Sequence, residues 1–306
     1  MLSRVASTIY WMARYIERAE NTARLVNVNG HLLLDLPRRI RLGWAPLIDI
    51  TGSHDAFFAR HEEADERHVV RFLVSDVANP GSILGALHAA RENARTIRDI
   101  IPREAWEQVN QLYLQARENA AGSQSRRRRE EYLRQIILGA QTITGQLAGT
   151  MTHDEGYAFL RMGRNLERAD MTTRIIDVRS ASLLPELSEE LTPFENIQWV
   201  SVLKSLTAYQ MYRREMRLRV RRPDVLAFLL QERRFPRSFY HAICEVESCL
   251  RSLPRHEKPL ESLARLQKKV LGAKPRRLQQ DELHKFIDQL QLGLAKVHGQ
   301  IAASYF

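Results

Sequence analysis

The chain has 306 residues, 44% hydrophobic and 27% charged, a composition that supports a packed core without disulfide or metal staples and excludes intrinsic disorder. Its 46 Lys plus Arg against 36 Asp plus Glu give a formal charge of +10, which attracts anions without saying whether they are nucleic acid, acidic protein or small molecules. No apolar run approaches the roughly 18 residues of a membrane span, and the stretch Val5 to Ala13 is too short and polar for a signal peptide, so neither is expected.

Residues 4 to 34 place Met12, Tyr15, Ile16, Ala19, Ala23 and Val26 at helical spacing, with Pro37 closing the segment. Residues 44 to 62 read as a second helix. After the turn at Asn79-Pro80-Gly81, Ser82 is placed to cap a helix through about Ile101, ended by Pro102. Helical patterns follow at Trp106 to Ala121 and Glu130 to Thr150, separated by Gly122 to Ser125 and the run Arg126 to Arg129. That run is expected to be an exposed turn; no groove-reading or base-stacking motif accompanies it, so nucleic acid is not the expected partner.

A helix over 156 to 179 leads into an expected loop at 180 to 196 that carries Pro185 and Pro193. Pro236 and Ser238 start a helix ended by Pro254, and residues 272 to 280 lead to a last amphipathic helix from Asp281 to about Ser304. No stretch alternates with period two between hairpin turns, so the fold class is all-α. Cys244 and Cys249 lie five apart on one expected helix, where they diverge too far for a disulfide; a reduced, cytosolic compartment is expected.

The chain also resembles itself. Arg14-x-x-Glu17-Arg18-Ala19-Glu20-x-Thr22-x-Arg24 returns as Arg164-x-x-Glu167-Arg168-Ala169-Asp170-x-Thr172-x-Arg174. Trp44 with Leu47 and Ile48 matches Trp199 with Val202 and Leu203. The block Val69 to Val74 with Asn79-Pro80-Gly81-Ser82 matches Val225 to Leu230 with Phe235-Pro236-Arg237-Ser238. Collinear matches with slowly drifting offsets predict a helical bundle of two tandem pseudo-symmetric repeats in one domain over 1–306. The repeats span about 1–121 and 150–271, with an inter-repeat helix at 130–150 and a C-terminal helix at 281–304.

On a helix, Arg14, Glu17 and Arg18 share one face, and Glu20 pairs with Arg24 beside them. Solvated ion pairs at this spacing are worth only a few tenths of a kcal/mol. The two halves have nevertheless kept these residues in register while diverging elsewhere. A buried Arg–Glu network between the halves would fix them, and so would an anion site with Glu17 or Glu167 orienting the arginines or serving as a general base. The candidate anion- or partner-binding residues are Arg14, Arg18, Arg24, Arg164, Arg168 and Arg174. The helices at 4 to 34 and 156 to 179 are expected to pack together and bring the two sets close.

The segments Tyr10-Trp11-Met12-Ala13-Arg14 through Arg24, Gly149 to Leu160 leading into Gly163-Arg164-x-x-Glu167-Arg168-Ala169-Asp170-Met171-Thr172, Arg91 to Arg95, Phe235 to Ser238 and the terminal Ser304-Tyr305-Phe306 resemble the bacterial alpha-E proteins. That family is named for a helical domain with a Glu-Arg motif, and the resemblance covers essentially the whole chain. Tyr157 stands where the family pattern has Trp. The resemblance implies a protein encoded beside, or fused with, a circularly permuted ATP-grasp ligase, often near transglutaminase-like or proteasome-like hydrolases. By that association the chain would serve a peptide- or amide-bond system, as a non-enzymatic partner binding the ligase or an anionic carboxylate or peptide, or alternatively as a peptide-modifying enzyme with Glu17 or Glu167 as general base beside an Arg-bound anion.

Other constellations carry less. His61, Glu62, Glu63, Asp65, Glu66 and His68 are metal-ligand types, but continuous charge on an amphipathic segment reads as a solvated face. His153-Asp154-Glu155 precedes the second signature helix and is expected to cap it. No Gly-rich phosphate loop, nucleophile elbow or His-Glu-x-x-His occurs, so no metal centre and no cofactor are expected, and any nucleotide chemistry would belong to a partner.

Overall fold

The computed structural model describes residues 1–35, 43–181, 192–216 and 219–306. Among them it is built of helices: α1 (Ser3–Asp35), α2 (Ala45–Ile50), α3 (His54–Phe58), α4 (Glu66–Val74), α5 (Ile83–Thr96), α6 (Arg103–Asn119) and α7 (Arg126–Thr150), then α8 (Glu155–Ala181), α9 (Thr192–Ser205), α10 (Tyr209–Met216), α11 (Arg222–Gln231), α12 (Phe239–Arg251), α13 (Glu257–Gly272) and α14 (Gln280–Tyr305). No strand occurs among the described residues, and no helix there is long and apolar enough to cross a membrane.

The long helices α1 and α8 form the centre and run parallel to each other, their contacts advancing together from Tyr10 beside Gly163 to Asn29 beside Arg179. Around them α1 packs against α5, α7 and α9, and α8 packs against α12 and α14. Being covered on several sides, α1 buries residues all round its cylinder: Ile9, Met12, Ile16 and Ala23 are apolar, while Glu17, Glu20, Asn21 and Asn29 are polar. A helix buried on every side must satisfy its polar groups from neighbouring helices rather than from water. The close approach depends on Gly163, where a Cβ would overlap the Tyr10 carbonyl oxygen.

Several boundaries follow the local chemistry. Ser82 accepts the Gly85 N–H at 3.0 Å and starts α5; Ser238 accepts the His241 N–H at 3.1 Å and starts α12. Asp154 accepts the N–H groups of Gly156 and Tyr157 at 2.8 and 3.2 Å at the head of α8, so the expected capping role falls to its carboxylate. The neighbouring His153 stacks on the Tyr157 ring, centroids 3.9 Å apart.

Other expectations need correction. The expected helix over 44 to 62 is two short helices, because the chain turns at Thr51 to Ser53 with Gly52 at φ +66°, a conformation open to glycine. Helix α5 stops at Thr96 rather than Ile101, with turns carrying the chain to Pro102. The run Arg126 to Arg129 is no separate turn but the first turn of α7, and Arg129 is buried, paired with Glu66 and lying over the Trp44 ring. The expected loop at 180 to 196 is helical up to Ala181 and again from Thr192. Pro37 and Pro185 lie outside the described residues.

Candidate functional site

The signature residues meet across the α1–α8 interface. Arg14 Nε donates to Glu167 Oε2 at 2.7 Å, and Arg18 donates to the same carboxylate through Nε at 2.6 Å and Nη2 at 3.2 Å. In the opposite sense, Arg168 Nε lies 3.0 Å from Glu17 Oε1. Each signature helix thus supplies a glutamate to an arginine of the other. Arg24 and Arg174 remain within their own helices, on Glu20 at 2.7 Å and Asp170 at 2.9 Å.

A further arginine joins from the turn before α12. Arg237 places Nη1 2.9 Å from Glu17 Oε1, donates from Nη1 to Asn21 Oδ1 at 2.7 Å and donates from Nη2 to Glu20 Oε1 at 2.8 Å. The Arg237 carbonyl accepts the Thr172 hydroxyl at 3.0 Å, which ties this turn to α8. Sequence reasoning singles out Phe235 to Ser238 as a block, but not Arg237 as a member of the site. The partners of its guanidinium lie more than 200 residues away, so no spacing rule reaches them.

Glu17 and Glu167 are each only 2% exposed. Behind them, six arginines (Arg14, Arg18, Arg24, Arg164, Arg168 and Arg237) gather around the three carboxylates of Glu17, Glu20 and Glu167. Positive charge is therefore in excess. Arg164 has its Nε without a hydrogen-bond partner among the described residues, and burial lowers its pKa.

A groove of about 600 Å³ lies between α8 and α14, and of these six arginines only Arg14 lines it. Arg14, Asp170 and Arg174 line one side, and Asp288, Gln291 and His298 the other. His298 Nδ1 lies 2.8 Å from the Tyr10 hydroxyl, and burial, with Arg14 nearby, pushes its pKa down. Glu17 and Glu167 do not line this groove.

A family model described as "a predicted alpha-helical domain with a conserved ER motif" matches residues 1–306. The chain belongs to the Alpha-E family. The Glu-Arg pairs Glu17-Arg18 and Glu167-Arg168, which sit in the ion network, fit that description. Uncharacterised proteins of Mycobacterium bovis and Mycobacterium tuberculosis are similar to this Alpha-E chain, 24% identical over 269 residues that cover 82% of it. The match takes in 30% of their own length, so the chain spans less than a third of these relatives. No solved structure matches it.

Within this Alpha-E site the electrostatics oppose proton transfer by the signature glutamates. Burial by itself would raise both carboxyls, but Arg168 and Arg237 around Glu17, and Arg14 and Arg18 around Glu167, outweigh it and hold both below the usual carboxylate range. A general base working near neutral pH needs the opposite shift and an open edge toward its substrate. Of the predicted arginines, Arg14 and Arg174 reach the groove, Arg18 and Arg168 serve the buried pairs, and Arg24 stays on Glu20. His61, Glu62, Glu63, Asp65, Glu66 and His68 do not bring three ligand atoms together; Asp65 instead accepts the His68 N–H and caps α4.

Proposed function

We propose that this Alpha-E chain is a non-enzymatic helical partner in an ATP-grasp amide or peptide ligase system, offering the α8–α14 groove to an anionic carboxylate or peptide. The observation that carries this reading is the division of labour among the signature residues. The glutamates are enclosed in ion pairs and do not line the groove, whereas Arg14 and Arg174, each held by one carboxylate, also stand on the groove wall. A guanidinium fork on a concave wall recognises carboxylate or phosphate oxygens in pairs. The chain's formal charge of +10 adds long-range attraction for the same class of ligand. In the mycobacterial relatives the matched region is a minor part of a longer protein, as expected of a unit that works beside others.

We also read the two halves as copies of one helical unit. The reciprocal exchange of Arg18 to Glu167 and Arg168 to Glu17, and the matching serine caps at Ser82 and Ser238, support that reading. The asymmetry between Gly81 and Arg237 then gives the second copy an arginine the first lacks.

The test is co-purification with a circularly permuted ATP-grasp ligase from the same source, followed by its ATP turnover with and without this chain, using wild type and Arg174→Gln. Wild type should bind and raise turnover, and the variant should bind without raising it. If wild type neither binds nor changes turnover, the partner reading falls. The general-base reading of Glu17 or Glu167 predicts that a folded Gln variant at one of them loses activity with an unchanged melting temperature, which the enclosed ion pairs speak against.

A further inference from the structure

Beside the groove, three side chains that the arginine network does not use converge from two helices. Asp177 projects from α8, and His284 and Asp288 from α14, with one ligand-type atom of each lying within 4.8 Å of the other two. His284 and Asp288 are four residues apart and so share a helix face. His284 Nδ1 is 2.8 Å from Asp177 Oδ1, and its Nε2 is 3.7 Å from Asp288 Oδ2.

The helices are fixed against each other at this point. Gln280 Nε2 donates to Ser180 Oγ at 3.0 Å, joining the start of α14 to the end of α8. Gln279 and Glu282 form a reciprocal cap that holds the first turn of α14. Asp177 is largely buried and Asp288 is half exposed. The three ligands therefore stand on a braced wall with one open side.

One imidazole nitrogen and two carboxylate oxygens are the donor set of a divalent first-row ion, and three protein ligands leave coordination positions for water or an outside anion. Asp288 lines the groove as well as this cluster. We propose that Asp177, His284 and Asp288 form a binding site for a divalent transition-metal ion of the Zn²⁺ class at the rim of the α8–α14 groove. The ion would place a second positive centre next to Arg14 and Arg174, where a carboxylate or phosphate could bridge them. Metal binding itself does not depend on the ligase reading, and its test uses the metal alone.

Surface His–Asp pairs are common without a metal, and this chain contains its own control. His54 Nδ1 lies 2.8 Å from Asp49 Oδ1, the same separation, but no third ligand stands beside them among the described residues. A simple ion pair makes the two histidines equivalent, whereas a metal site sets His284 apart.

The experiment uses the full chain without an affinity tag, stripped with a chelator and dialysed, then titrated with Co²⁺ followed by visible absorption and with Zn²⁺ followed by calorimetry. One saturable site is expected, with Zn²⁺ displacing Co²⁺. His284→Ala and Asp288→Asn should each weaken binding about tenfold or more, while His54→Ala leaves it unchanged. Matching far-ultraviolet circular dichroism spectra of these surface variants would exclude unfolding as the cause. Absence of saturable binding overturns the proposal, as does binding that survives His284→Ala or is lost equally with His54→Ala.

Discussion

Arg18 grips Glu167 with both arms of its guanidinium, Nε on one carboxylate oxygen at 2.6 Å and Nη2 on the other at 3.2 Å, across the interface of two parallel central helices. Arg14 shares the second of those oxygens. The fork geometry suits a planar carboxylate, and a glutamate 2% exposed has no water to fall back on. Glu167 is thus a counter-ion on which two arginines depend.

Replacing Glu167 with Gln should therefore cost up to about 3 to 5 kcal/mol, because it removes a buried carboxylate and leaves two guanidinium groups that are mostly shielded from water without their charge partner. Glu17→Gln should cost a similar amount through Arg168 and Arg237. Urea denaturation of the two variants reads this directly. A loss near that of an exposed pair such as Arg103–Glu107, which is worth at most about 1 kcal/mol, would contradict the buried network.

The same pairs set an acid limit. Glu17 and Glu167 titrate lower in the folded chain than a free glutamate does, so the unfolded chain binds more protons in acid. Their contribution is fully present above the unfolded value of about 4.3 and is lost as pH falls through the lower folded values. The melting temperature should drop steeply below about pH 4.3. The Glu17→Gln variant should show a shallower drop across the same interval.

Glycine substitutions should have opposite signs at two positions. Gly163→Ala pushes a methyl group into the Tyr10 backbone and should destabilise by about 1 to 3 kcal/mol, since neither central helix can yield without repacking its neighbours. Gly145 lies inside α7, and a Cβ added there would meet no described atom within 4 Å, so Gly145→Ala should stabilise by up to about 1 kcal/mol through helix propensity. Thermal melts of the two variants beside wild type would show the divergence.

Both cysteines should be inert in the native chain. Cys244 and Cys249 are buried and free, burial raises both thiol pKa values, and Cys249 is pushed up to about 11. At pH 8 a disulfide reagent such as Ellman's should titrate two thiols promptly in denaturant and almost none without it. Fast native labelling would contradict the packing of α12.

Much of this architecture is legible in the sequence because helical periodicity is local. Ser82, Ser238 and Asp154 announce helix starts through side chains that reach only a few residues. The break at Gly52 escapes such a reading because the apolar pattern runs on across it, and Arg129 passes for a surface residue because its run of four looks solvated. The first three members of that run are exposed; the fourth turns inward to Glu66 and Trp44.

An all-helical chain with two signature helices is written in the residues alone, because spacing along one helix fixes which side chains share a face. What those faces meet depends on how the helices pack. Packing sends Arg14 and Arg18 to Glu167, brings Arg237 to Glu17 and Glu20, leaves Arg24 and Arg174 on their own helices, and joins Asp177 to His284 and Asp288. The physical reason is that an ion pair is worth little in water, whereas breaking one that is buried costs several kcal/mol. The role of each charge therefore depends on which helix covers it, and no local spacing records that.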